Sequence, residues 1–396
     1  MTVPPNSVPP DWSNWSGRLT ADADLIHVRS EDDIARRLAA TQPGSTIRVA
    51  GRSHSHMPLI PNSDTIIDTS GLNGVISTNA DDQSAWVWAG TPIAALGASL
   101  HAAGLALKNQ GDIDRQTIGG AAATGTHGTG RSLQNLSASV IGARVILASG
   151  DIVDCSVEEH PELWEVARLN LGAIGVITRL HLQLRGAYKL REDGTFKPFD
   201  EVIGDLASLP DRSRHYEFFW LPDRDLVVGK AIDETDDDPE YPLAREGRRV
   251  AWSYEVLANH RSWKHTEIEY SVPDEVGPSC VAEIRDMVLS DYPDMPWAIE
   301  YRTLAADDVW MSTAYRRPTV TISLHYDVAA DEEPMYRAAE RIFREVDGRP
   351  HWAKLNYLDG AELSAIHPRW SDWWRVRDQA DPDGLFLNDY LASIRP

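Results

Sequence analysis

The chain has 396 residues, 60 acidic against 38 basic side chains for a formal charge of -22, and 42% hydrophobic and 25% charged content. That balance excludes nucleic acid and anionic membranes as partners, because displacing counterions takes clustered Lys and Arg; the length exceeds what one core serves, so two domains are expected. With only Cys155 and Cys280, no zinc-type spacing, and no apolar run of about 18 residues or signal-like start, a cytoplasmic protein is expected.

In chain order, a Pro-rich lead-in precedes SEDDIARRLAA (30–40), where Ser30 caps a helix that places Ile34 and Leu38 on one face. STIRVA follows as a strand and runs into GRSHSH (51–56). Strand-like runs recur at TIIDTS, GVIST, AWVWAG, SASVIGARVILASG and IGVITRLHLQLRG, with helical patterns at PIAALGASLHAAG and HPELWEVARLN. Strands interleaved with single helices favour an α+β layout over a doubly wound sheet.

From about residue 186 the character changes. RHYEFFWLP, AIEYRTLA and TVTISLHYDV read as strands and EPMYRAAERIFREV as an amphipathic helix, so a mostly antiparallel sheet flanked by helices, with one face lining a pocket, is expected. DETDDDPE (233–240) reads as a solvated loop. DPDGLFLNDYLASI reads as a short segment returning to the first domain. The expected division is 1–185 with 361–396 against 186–360.

Two histidines and two serines in GRSHSH suit a metal site, a hydrolase nucleophile or a cofactor attachment. NQGDIDRQTIGGAAATGTHGTG (109–130) is rich in glycine, which lets backbone amides approach a bound group, yet it has neither a Walker lysine nor GxGxxG. Runs of small residues also occur where two backbones simply pack together. With LNLGAIGVIT (169–178), three amide-rich turns fall in one domain, enough to enclose an extended cofactor.

These stretches, together with NWSG, DTSGLNGVI, GLALKNQGD, GRPHWAKL and DPDGLFLNDYL, resemble the alditol, xylitol and sugar-1,4-lactone oxidases of the vanillyl-alcohol-oxidase superfamily, over nearly the whole chain. The resemblance implies a two-part PCMH-type FAD-binding domain with a substrate cap. It implies FAD joined covalently to His54, through a single link because no cysteine precedes Cys155. The implied cofactor contacts are Gly51, Arg52, Ser53, Ser55, Thr117, Gly120, Thr124, Gly125, Thr126, His127, Gly128, Gly175, Val176 and Ile177. His56 receives no role.

On the substrate side the resemblance implies Glu300, Arg302, His325 and Lys354, with Thr117 at the flavin face. Glu300 and Arg302 are two apart and share a strand face. A carboxylate, a guanidinium, an imidazole and an amine suit the hydroxyls of a polyol or sugar lactone. Lys354, its pKa lowered by burial, or His325 would take the hydroxyl proton, Arg302 and Lys354 would stabilise alkoxide, and hydride would pass to flavin N5. Oxygen would reoxidise the flavin and give hydrogen peroxide. "EYR" leans to alditols such as xylitol or sorbitol oxidised at the terminal hydroxyl; a gulono- or arabinono-1,4-lactone oxidase or dehydrogenase is the alternative. A monomer or small homo-oligomer without metal is expected. The rivals are a metal hydrolase built on His54, His56 and His127 and a non-catalytic flavin or sugar binder; a serine hydrolase lacks its G-x-S-x-G elbow.

Overall fold

A computed structural model describes residues 10–259 and 261–396; the start of the lead-in, residues 1–9, and His260 lie outside the described residues. Ser30 Oγ accepts the Asp33 amide at 3.1 Å and starts the helix Glu31–Ala39, which buries Ile34 and Leu38. They pack over a parallel three-stranded sheet in which Thr65–Asp68 lies between Asp24–His27 and Ile47–Ala50. Beside it stands an antiparallel five-stranded sheet in the order Ile152–Ser156, Val140–Ile146, Val176–Gln183, Ser84–Trp88, Val75–Asn79. The helices Ile93–Ala102, Ile118–Ala123 and Pro161–Arg168 share its core.

The second half builds an eight-stranded sheet, antiparallel throughout. Its order is Val250–Trp252, Lys189–Pro198, Leu226–Glu234, His215–Leu221, Ile299–Leu304, Thr319–Asp327, His265–Pro273, Arg349–Pro350. Alternation along its strands separates two faces. Phe218, Ile268, Tyr270, Ile299, Tyr301, Ile322 and Leu324 meet the helices Gly277–Asp291 and Glu333–Glu345. Glu217, Glu267, Glu269, Glu300 and Arg302 point the other way and are buried too. What covers them is the first half. Gly130 N donates to Thr303 O at 2.8 Å and Ala305 N to Leu133 O at 2.9 Å, which pins the end of the glycine-rich segment to this sheet.

The C-terminal return is longer than a short segment. It consists of the helices Gly360–Ile366, Trp370–Ala380 and Asp389–Ile394. Trp370, Trp373, Trp374, Leu391 and Ile394 enter the core of the five-stranded sheet, joined by Val309, Trp310, Met311 and Trp352 from the second half. Among the described residues no helix is long and apolar enough to cross a membrane.

Candidate active site

The loop 51–56 is held from both sides. Trp12 Nε1 donates to Ser53 Oγ at 2.9 Å, Trp15 N to Ser53 O at 2.7 Å and Asn14 Nδ2 to Ser55 O at 3.0 Å, while His56 N donates to Ala353 O at 2.7 Å. The NWSG motif is thus a staple for the histidine loop, and Lys354 follows directly on the residue that receives it. Ser53 takes a left-handed φ of 56° to make the turn. Gly51 admits the next loop: a Cβ there would lie 2.1 Å from Thr117 Oγ1.

A cavity of about 230 Å³ runs between these loops and the polar face of the large sheet. Its lining includes Gly51 to Ser55, Thr117, Gly120, Thr124, Thr126, His127, Gly175 and Ile177 on one side, and Glu300, Arg302, His325 and Lys354 on the other. Three residues expected at the cofactor do not line it. Gly125 turns the chain at φ 75° after the helix Ile118–Ala123, and Gly128 packs on Gln110, where a Cβ would meet the carbonyl oxygen at 2.2 Å. Val176 sits in the core with Ile34. Thr117 is buried, and its hydroxyl accepts from Gly120 N at 3.3 Å.

Titratable side chains outside the expected set also line it, among them Glu267, Glu269, His265 and His351. The first three lie on the strand His265–Pro273, whose E-I-E spacing is the signal for it in the sequence. Strand register sets Glu267 opposite His325, Glu269 opposite Ser323, and Glu300 opposite Ser323 on the other edge. Arg302 Nη2 donates to Glu269 Oε2 at 2.5 Å and lies 3.1 Å from Glu300 Oε2. Ser323 Oγ also donates to Glu269 Oε2, and His127 Nε2 stands 2.7 Å from Glu269 Oε1. Lys354 Nζ is in direct ion-pair contact with Glu267.

The electrostatics divide these groups. Burial alone would raise Glu267 and Glu269, but Lys354 for the first and His127 with Arg302 for the second hold both well below the usual carboxylate range. Glu300 goes the other way. Burial pushes it up to about 8 against the pull of Arg302, with Glu217 and Asp112 adding to the rise. Burial lowers His54 and His325 to about 4, so both imidazoles are neutral at pH 7. His325 Nδ1 lies 3.0 Å from Ala298 O, an acceptor only, so Nδ1 carries the proton and Nε2 keeps its lone pair. His54 Nδ1 is buried and has no hydrogen-bond partner among the described residues.

An orphaned, neutral imidazole nitrogen on the wall of a glycine-lined cavity fits a flavin attached there. In this arrangement the loops 51–55, 117–127 and 175–177 would hold the flavin, and the sheet would present substrate to it.

Comparison with known proteins gives the family. Residues 23–156 match the family model "FAD binding domain" and residues 243–394 match "D-arabinono-1,4-lactone oxidase". The chain is 32% identical to an L-gulono-1,4-lactone dehydrogenase of Mycobacterium tuberculosis, over 97% of this chain and 99% of that one. It is 26% identical to an alditol oxidase of a Streptomyces species over 96% and 98%, and 25% identical to the L-gulonolactone oxidase of Bos taurus over 97% and 98%. Among solved structures, a solvent-stable cholesterol oxidase superimposes with a TM-score of 0.84 at 18% identity, covering 97% of each chain, which shows a shared fold.

Proposed function

Because the chain belongs to the alditol and sugar-1,4-lactone oxidase family of FAD-dependent oxidoreductases, which act on CH–OH groups, we propose that its substrate is a sugar 1,4-lactone oxidised at a ring hydroxyl. The full-length likeness to a lactone dehydrogenase carries this reading. The terminal oxidation of an alditol is the second reading, favoured by the Glu300–Arg302 pair. Its weight falls because Arg302 Nη2 already lies between Glu269 and Glu300.

In this reading residues 1–185 with 361–396 hold the cofactor and 186–360 the substrate. FAD, when bound, supplies the acceptor for the hydride. His54 is the covalent anchor, its neutral imidazole being nucleophilic. His325 Nε2 takes the proton of the reacting hydroxyl. The resulting imidazolium is stabilised by Glu267, whose Oε1 lies 3.7 Å away. Lys354 donates to the same hydroxyl oxygen and favours alkoxide, and Glu300, protonated at neutral pH, donates to a second substrate oxygen.

The test is the visible spectrum of the purified protein before and after acid precipitation, then anaerobic addition of L-gulono-1,4-lactone and of xylitol. Yellow colour in the precipitate, bleaching by the lactone, and loss of acid-stable colour in His54→Ala are expected. Bleaching by xylitol alone would reverse the order of the two readings, and acid-stable colour in His54→Ala would place the link elsewhere. Peroxide released during turnover would assign oxygen as the acceptor; turnover with a dye alone would assign an electron carrier.

A further inference from the structure

Four groups of side chains around the cavity gather three or more metal-ligating atoms. Two of them are already committed. In the set His127, Glu269 and His351, His127 Nε2 is bound to Glu269 and His351 Nδ1 accepts from Ala353 N at 3.1 Å. The set Asp112, Glu217 and Glu300 lies against Lys230, whose fully enclosed ammonium contacts Glu217 and stands 3.2 Å from Glu246.

The remaining two sets share Glu267. His56, His265 and Glu267 offer ligand atoms all within 4.8 Å of one another, as do Glu267, Glu300 and His325. Here the imidazoles, unlike Glu267, each leave a ring nitrogen without a partner among the described residues. His265 Nδ1 lies 3.0 Å from Trp263 O and so keeps its proton, leaving Nε2 open 3.7 Å from Glu267 Oε2. His325 Nε2 is open on the other side, 3.7 Å from Oε1. His56 is buried, and its Nδ1 has no hydrogen-bond partner among the described residues. Two nitrogen lone pairs facing one carboxylate repel it unless a cation stands among them, and the Lys354 ammonium fills that place. Lys354 is held by this single carboxylate, and its side chain is 21% exposed, so its flexible stem can withdraw.

We propose that His56, His265 and Glu267 form a binding site for a divalent transition metal of the zinc type, which enters by displacing the Lys354 ammonium and blocks the substrate end of the cavity. Two imidazoles and a carboxylate are a borderline-soft donor set suited to zinc, with the fourth tetrahedral position left to water. The rival metal reading of the sequence, His54 with His56 and His127, is a different set: His127 is engaged with Glu269.

The site is tested on the purified holoenzyme by equilibrium dialysis against zinc chloride with elemental analysis, and by calorimetric titration. One zinc per chain is expected, with affinity at least about tenfold weaker in His265→Ala and in His56→Ala, stronger in Lys354→Met, and inhibition competitive with whichever substrate bleaches the flavin. His265 lines the cavity, and the thermal midpoint and visible spectrum of both variants check that they fold. Absence of stoichiometric zinc, or equal affinity in wild type and both histidine variants, overturns the site. Dialysis and calorimetry need no turnover, so failure of the lactone assignment is read separately.

Discussion

Glu300 meets Arg302 only after Glu269 has taken the shorter bond, and it shares its surroundings with Asp112 and Glu217. Burial, with Glu217 and Asp112 adding like charge against the pull of Arg302, keeps the proton on Glu300 up to about pH 8. Its folded pKa is raised above the free value of 4.5. Folding therefore binds a proton between pH 4.5 and about 8, and stability contributed there is lost as pH rises through that window. In the proposed mechanism the protonated form donates to substrate, so kcat/KM should fall above about pH 8. Glu300→Gln should keep most activity at pH 7 and lose that alkaline limb, while Glu300→Ala should lose roughly a hundredfold. A pH profile of the three proteins decides it: equal damage from Gln and Ala would mean the carboxylate is the working form. At this scale the sequence was partly legible. Glu300, Arg302, His325 and Lys354 stood in readable motifs, whereas Glu267 and Glu269 did not, because carboxylates at every second position of a strand look the same on a solvent face as on a face buried under another domain.

The strand Ile47–Ala50 shows how one element positions several loops. Its Arg48 is buried, and its guanidinium donates to Leu59 O, Leu171 O, Gly172 O and Phe386 O. Burial lowers its pKa to about 9, with Arg377 adding to the fall, so it remains charged at pH 7. These carbonyls belong to the segment after the histidine loop, the turn before Gly175 and the C-terminal return. Arg48→Met would orphan them, at about 1–3 kcal/mol each for those that water does not reach. We expect a loss of at least about 3 kcal/mol in denaturant titration, together with weaker flavin retention; a loss under about 1 kcal/mol would mean these loops are fixed by other contacts. Elements with plain periodicity, such as Glu31–Ala39, Pro161–Arg168 and Glu333–Glu345, were legible in the sequence. The helices Gly277–Asp291 and Trp370–Ala380 were not. The first opens on Gly-Pro without a side-chain cap, and the second spends its inward positions on tryptophans and an arginine salt-bridged to Asp381.

Across the whole molecule, four cations at the polar face of the large sheet, two on its strands and two on flanking loops, stand in ion pairs. Lys354 is held by Glu267, Arg302 by Glu269 and Glu300, Arg261 by Glu246 and Asp112, and Lys230 by Glu217 and Glu246. A substrate carboxylate entering here meets carboxylates without a spare partner, inside a chain of net charge -22. Two like charges about 4 Å apart repel by about 4 kcal/mol at an effective dielectric of about 20, and a third of that is already tenfold in binding. The ring-closed lactone is neutral; its hydrolysed aldonate has the same hydroxyls and one negative charge. The cavity should therefore turn over L-gulono-1,4-lactone with a kcat/KM at least about tenfold above that of the gulonate made from it by alkali, and the lactone value should vary little with salt. Equal turnover of the two forms would mean that Lys354 or Arg302 leaves its carboxylate partner when substrate arrives. The same release would then have to be built into the roles given to Glu267 and His325, since both depend on where that ammonium rests.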